Sequence, residues 1–181
     1  MKSNFDDAVL MVIDVQQAFN HPRWGQRNNP AAESNMAKLL AQWRKAKRPI
    51  IHVQHLNPKP ESLFNGQGFE IKAEVAPLAG EPVVVKNVNS AFIGTDLQER
   101  LGSMGAKKLV LVGMTTDHCV ATTARMAGNL GFDTWVVSDA TATHERTGTR
   151  GQHYTAEEMH DTALASLNGE FATVATTSEI I

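Results

Sequence analysis

Apolar runs and polar breaks alternate along the chain in a regular order. Ala8-Val-Leu-Met-Val-Ile13 is apolar throughout, the pattern of a strand covered on both faces, and it stops at Asp14. From about Ala31 to Ala46, Met36, Leu39, Leu40 and Trp43 recur at the spacing of one helix face, and Pro49 closes that segment. Ile50 to His55 predicts a second strand. Leu56 to Pro82 carries prolines and glycines without a period and predicts a long irregular stretch, a kind of loop that commonly carries function. Val83-Val-Val85 predicts a third strand running into Lys86. Thr95 or Asp96 offers an N-cap to a helix bearing Leu97, Leu101 and Met104. Leu109 to Val112 is a fourth strand, and the helix after it runs from about Cys119 to Leu130, stopped by Gly131. Thr134 to Val137 is a fifth strand, followed by a polar loop through Gly151. A helix from about Thr155 to Leu167 and a strand from Ala172 to Ala175 complete the series.

Strands separated by helices predict an α/β fold. The expected form is a single domain over residues 1–181. It has three layers, α/β/α, around a mostly parallel, doubly wound, Rossmann-like sheet of about six strands. Such sheets bind ligands beyond the carboxyl ends of their strands. Asp14, Lys86 and the turn leading to Cys119 each follow such an end. Three distant segments therefore bring a carboxylate, an ammonium and a thiol to one edge of the sheet.

Composition narrows the partners. The chain has 181 residues, 42% of them hydrophobic, enough for one full core, and a net charge of -2. That balance argues against nucleic acid, and no Lys/Arg run marks a membrane surface. Ala8 to Ile13 is too short for a leader core or a membrane span, so a cytoplasmic protein is expected. Cys119 is the single cysteine, which agrees with a reducing compartment.

The three groups suit acyl transfer. A thiol in the first turn of a helix is expected to be acidified by the unpaired N–H groups and the dipole there. Asp14 would take the thiol proton and later return it to a leaving amine. Lys86 would hold both anions together. Backbone N–H groups of the Gly113–Cys119 turn would face the developing oxyanion. Attack gives a thioester, which water clears. Each residue also has a plainer reading: a small core thiol, a turn aspartate, a solvent-facing lysine.

Val12-Ile-Asp14-Val-Gln16, Lys86 with Ser90-Ala-Phe92 and Gly94-Thr95, and Gly113-x-x-Thr116-Asp-x-Cys119-Val form one ordered set. With Ala124-Arg125, Asp139-Ala140 and Gly169-Glu-Phe171-Ala, the set resembles the isochorismatase-like cysteine hydrolases over essentially the whole chain. Nicotinamidases, carbamoylsarcosine amidases and other small-amide hydrolases belong to that superfamily. The resemblance implies a catalytic triad of Asp14, Lys86 and Cys119. It implies a cis peptide between Met114 and Thr115, an oxyanion hole from the Thr115 and Cys119 amides, and association into homo-oligomers.

Two departures sharpen the substrate class. Nicotinamidases of this superfamily carry an Asp-x-His metal motif after the second strand, whereas this chain reads Val53-Gln54-His55-Leu56-Asn57. His52 and His55, three apart on a strand, point to opposite faces and make a poor metal pair. The spacing of Glu157 and His160 suits a helical ligand pair, but a solvated helix face accounts for it. No metal or other cofactor is expected. Isochorismatases that cleave a vinyl ether typically lack the cysteine, so Cys119 favours C–N bond cleavage. The expectation is a metal-independent cysteine hydrolase of a small amide, imide or ureido compound. Ether hydrolysis with Asp14 as acid and a non-catalytic thiol sensor or small-molecule binder are the alternatives. Candidate pocket residues are Phe19, Trp24, Gln54, His55, Phe64, Phe69, Asn89 and Phe92, all on segments near the same sheet edge.

Overall fold

The computed structural model describes residues 5–181. Five elements form the first half of the sheet and its cover: β1 (Val9–Ile13), α1 (Ala32–Lys45), β2 (Ile50–His55), α2 (Gly66–Phe69) and β3 (Val83–Lys86). They are followed by α3 (Leu97–Ser103), β4 (Lys108–Met114), α4 (Ala121–Asn129) and β5 (Asp133–Ala142). A small hairpin, β6 (Arg146–Thr147) and β7 (His153–Tyr154), precedes α5 (Ala156–Leu167), β8 (Thr173–Ala175) and α6 (Thr177–Ile180). The main sheet has six strands in the order β3-β2-β1-β4-β5-β8. All its pairings are parallel. This is the expected three-layer, doubly wound sheet. The direction of winding reverses between β1 and β4, so a crevice opens beyond their carboxyl ends.

The core explains the apolar runs. β1 is buried at every position, because α1 covers one face of the sheet and α3, α4 and α5 cover the other. Met36, Leu39, Leu40 and Trp43 of α1 are all buried beside Leu10, Val12 and Val110. Trp43 also donates its ring N–H to the Ala8 carbonyl, 2.9 Å away, so the helix is pinned as well as packed. On the other face Met11, Ile13, Val84 and Leu111 meet Leu97, Leu101, Val120 and Ala124. At β3 the pattern thins to alternation, as suits the edge of the sheet.

Several boundaries differ from those read in the sequence. The long stretch after β2 contains α2 and a short 3-10 turn at Ala73–Val75. The polar loop before Gly151 carries one strand of the hairpin. Asp96 does occupy the N-cap position of α3, but its side chain does not cap; the Thr95 hydroxyl accepts the Leu97 N–H instead. Most consequential is the start of α4. Residues Thr116–Val120 form a wide π-type turn, and the regular helix begins only at Ala121. Cys119 therefore lies ahead of the α-helix. Among the described residues, no helix is long and apolar enough to cross a membrane.

Candidate active site

The end of β1 is bent sharply out of the sheet. Asp14 adopts a left-handed conformation, with φ of 53°, which aspartate tolerates better than most residues. Its N–H still donates to the Val53 carbonyl of β2, 2.9 Å away. Beside it, Gly113 of β4 has φ of 131°, and a Cβ there would collide with the Ile13 carbonyl. Only glycine lets β4 approach β1 closely enough to continue into the turn that carries Cys119. The Met114–Thr115 peptide is cis.

Lys86, at the end of β3, reaches across β2 to meet both groups. Its Nζ donates to Asp14 Oδ2 at 2.6 Å, to Cys119 Sγ at 3.3 Å and to His55 Nδ1 at 3.2 Å. An ammonium has three protons, and here each finds an acceptor. Asp14 and Lys86 are buried, at 1% and 0% exposure. The donation to Nδ1 requires a neutral His55 ring with its proton on Nε2, and that proton serves the Val88 carbonyl. Burial, then the nearby Lys86 charge, hold the His55 pKa below its usual value.

The electrostatics reverse one expectation. Burial, and next the Asp14 carboxylate, push the Cys119 thiol up to about 12, against the weaker pull of Lys86. The expected acidification at a helix start does not operate, because the sulfur sits in the wide turn, shielded from water and beside an anion. Burial also raises the Asp14 pKa, with Lys86 opposing. Asp14 Oδ2 is held by Lys86, while Oδ1 is buried without a partner. The resting arrangement is a thiol beside a carboxylate that is a stronger base than usual.

Among the described residues, Asp14, His55 and Cys119 bring ligand-type atoms within 4.8 Å of one another. The Lys86 ammonium contacts all three, so a cation already fills the space between them. This trio is a socket for the ammonium. His52 points to the opposite side, where its Nε2 meets Glu81 Oε2 at 2.9 Å.

A cavity of about 70 Å³ opens above the sulfur, lined by Phe19, Trp24, His55, Phe64, Asn89, Thr115, His118 and Cys119. Cys119 faces it, and Asp14 and Lys86 lie beneath. Phe19, Trp24 and Phe64 make a mutually braced wall, with ring centroids 5.2–6.0 Å apart. The Trp24 ring N–H is fixed on the Ala18 carbonyl. Asn89 turns its amide to Sγ at 3.5 Å.

Three predicted pocket residues stand elsewhere. Gln54 donates to the Phe69 carbonyl at 2.9 Å, so it ties the long loop to β2. Phe69 contributes that backbone anchor and is not part of the cavity wall. Phe92 stacks on Phe132 at 6.1 Å within the core on the α4 side. In each case a position near the strand ends was right and the direction of the side chain was not.

Sequence reasoning missed three supporting residues and a lining one. Gln16 is fully buried and clamps three backbone groups, the His55 carbonyl, the His55 N–H and the Phe69 carbonyl. His160 is buried rather than solvated, and its Nδ1 accepts from the Thr116 hydroxyl at 2.9 Å, fastening the nucleophile turn to α5. His144 stacks on Phe19 behind the aromatic wall. His118 lines the cavity, and its position between Asp117 and Cys119 was the available signal.

The profile of the Isochorismatase domain matches residues 8–179. The chain is 46% identical over 175 residues to the isochorismatase family protein YrdC of Bacillus subtilis, covering 96% of this chain and 94% of that one. It is 36% identical over 177 residues to Isc1, a secreted isochorismatase effector of Verticillium dahliae, covering 96% and 90% of the two chains. Nicotinamidase 3 of Arabidopsis thaliana is 30% identical over 180 residues, covering 91% and 82%. Among solved structures, an isochorismatase family protein from Chromobacterium violaceum superposes with a TM-score of 0.96 at 40% identity, covering 99% and 94% of the two chains. Sequence and architecture agree: this chain belongs to the isochorismatase family and is a hydrolase.

Proposed function

We propose that the enzyme cleaves a C–N bond of a small amide, imide or ureido compound through a thioester on Cys119. The observation that carries this reading is the placement of Cys119 as the one member of the trio Asp14, Lys86 and Cys119 that faces the cavity, with Asp14 and Lys86 sealed below it. Because the thiol resists ionisation, its proton passes to Asp14 as the sulfur attacks the carbonyl carbon. The carbonyl electrons move onto oxygen, toward the Thr115 and Cys119 backbone N–H groups. Collapse breaks the C–N bond, and Asp14 hands its proton to the departing nitrogen. A water then attacks the thioester, giving its proton to Asp14, and the sulfur leaves and recovers that proton. Lys86 keeps its positive charge beside Asp14 and the sulfur throughout, offsetting the negative charge that moves between them. The cluster uses no metal or other cofactor.

The Arabidopsis relative is named for an amide substrate, which agrees with this chemistry. The test is ammonia or amine release from a panel of small amides, imides and ureas. Activity should vanish in Cys119→Ala and in Asp14→Asn; undiminished turnover by Cys119→Ala would refute a covalent route.

A second reading is ether hydrolysis of isochorismate with Asp14 as acid. The raised Asp14 pKa favours it, as does the name of the Verticillium relative. Isochorismate turnover that survives Cys119→Ala would establish it in place of the first.

A further inference from the structure

The cavity offers its ligand two different environments. Around the sulfur, the polar side chains of His55 and Asn89 already have partners. His55 gives one ring nitrogen to Lys86 and the other to the Val88 carbonyl, and Asn89 bears on Sγ. Phe19, Trp24 and Phe64 supply a wall of rings, and the cavity lining contains neither aspartate nor glutamate. With about 70 Å³ of space in all, the cavity fits little more than a neutral carboxamide or ureido end. The rest of a substrate must pass outward.

At the way out stands His118, with more than half of its side chain exposed. The wide turn places it beside Cys119 on the same cavity, because successive side chains diverge less in a π-type turn than across an extended strand. Behind it is the Asp117 carboxylate, 3.6 Å from His118 Nε2, too long for a hydrogen bond. Asp117 is itself anchored by the Thr143 hydroxyl and, at 3.3 Å, by Arg146, so it is a fixed neighbour.

Resting on the reading of Cys119 as the ligand-facing nucleophile, we propose that His118 is a specificity-determining residue. It reads an acceptor group, above all a carboxylate, on the end of the substrate remote from the scissile bond. The substrate class is then a small amide or ureido compound with a neutral reacting end and an anionic or strongly accepting tail. His118 donates a ring N–H to that tail. The charged and titratable groups around it are Asp117, which Arg146 also contacts, and, on the same cavity lining, Cys119 and His55.

The test needs no knowledge of the substrate. Methanethiosulfonates transfer their thioalkyl group to a thiolate, forming a disulfide and releasing methanesulfinate. The anionic 2-sulfonatoethyl reagent and the neutral methyl reagent would be compared on the intact protein, with labelling read by mass. Their rate ratio at a single pH cancels the thiolate fraction, so it reports on what meets the tail. The ratio should favour the anionic reagent about fivefold more in the native protein than in His118→Leu. His118→Lys should restore that preference. A ratio that His118→Leu leaves unchanged overturns the role of His118. Failure of both reagents to label Cys119 overturns the ligand-facing cysteine itself, and the inference with it.

Discussion

Lys86 Nζ lies 2.6 Å from Asp14 Oδ2, and neither side chain is open to solvent. Two charges buried in this way are stable only together. Lys86→Met should therefore strand the carboxylate and cost about 3–5 kcal/mol of folding stability. Urea unfolding measures it, and the double variant Lys86→Met, Asp14→Asn should recover a large part of the loss. Equal destabilisation by the single and double variants would mean that the pair is not coupled.

The thiol should show its burial in its reactivity. With Cys119 pushed up to about 12, the rate of alkylation by iodoacetamide should climb with pH and reach no plateau by about pH 9. A thiol acidified by its helix would level off near neutrality. A plateau near pH 7 would thus restore the simpler picture drawn from the sequence.

The nucleophile turn depends on a bond to a different helix. Thr116→Val keeps the shape of the side chain and removes the hydroxyl that His160 Nδ1 accepts, leaving a buried acceptor unpaired. A loss of about 1–3 kcal/mol in stability is expected. Turnover should fall as well, since Cys119 sits in the same turn. Unchanged stability and turnover would show that the contact is incidental.

Acid should weaken the fold in two separate windows. Burial first, then Arg146 and Arg27, lower the His144 pKa from 6.5 to about 4. Between those values the unfolded chain binds the extra proton, so this stability is complete above pH 6.5 and drains away as pH falls toward 4. His144→Phe should flatten that part of the profile. Glu33 behaves likewise at lower pH. Burial works against its charge, but Arg27 and Lys72 outweigh burial and hold it at about 2. Its contribution is present above 4.5 and is lost as pH falls toward 2, and Glu33→Gln should remove that slope. Chemical denaturation at a series of pH values separates the two.

The sheet was legible because β1 and β4 are covered on both faces, so burial writes an unbroken apolar run into the sequence. Asp14, Lys86 and Cys119 were legible because the strand ends of a parallel sheet converge on one edge. The wide turn at Thr116–Val120 was not. Val120, Ala121 and Ala124 fit either helix type, and the turn's fastening to His160 comes from a residue 44 positions away. The thiol's ionisation was misjudged for a similar reason. A local dipole can be read from a predicted helix start, whereas burial and the approach of Asp14 depend on the assembled fold. Gln54, Phe69 and Phe92 show the same limit, since strand and loop positions gave their neighbourhood without giving their direction. His118 was in plain view beside the cysteine, but nothing short of the turn's geometry placed it on the cavity.

The central claim is that Cys119 carries the acyl group during turnover. Acid quenching of the enzyme during reaction with a slow small-amide substrate, followed by intact mass, tests it most directly. The account predicts an added mass equal to the acyl portion, localised to Cys119 and missing from Cys119→Ala, which should be inactive. Sustained turnover with no adduct, matched by full activity in Cys119→Ala, would contradict it.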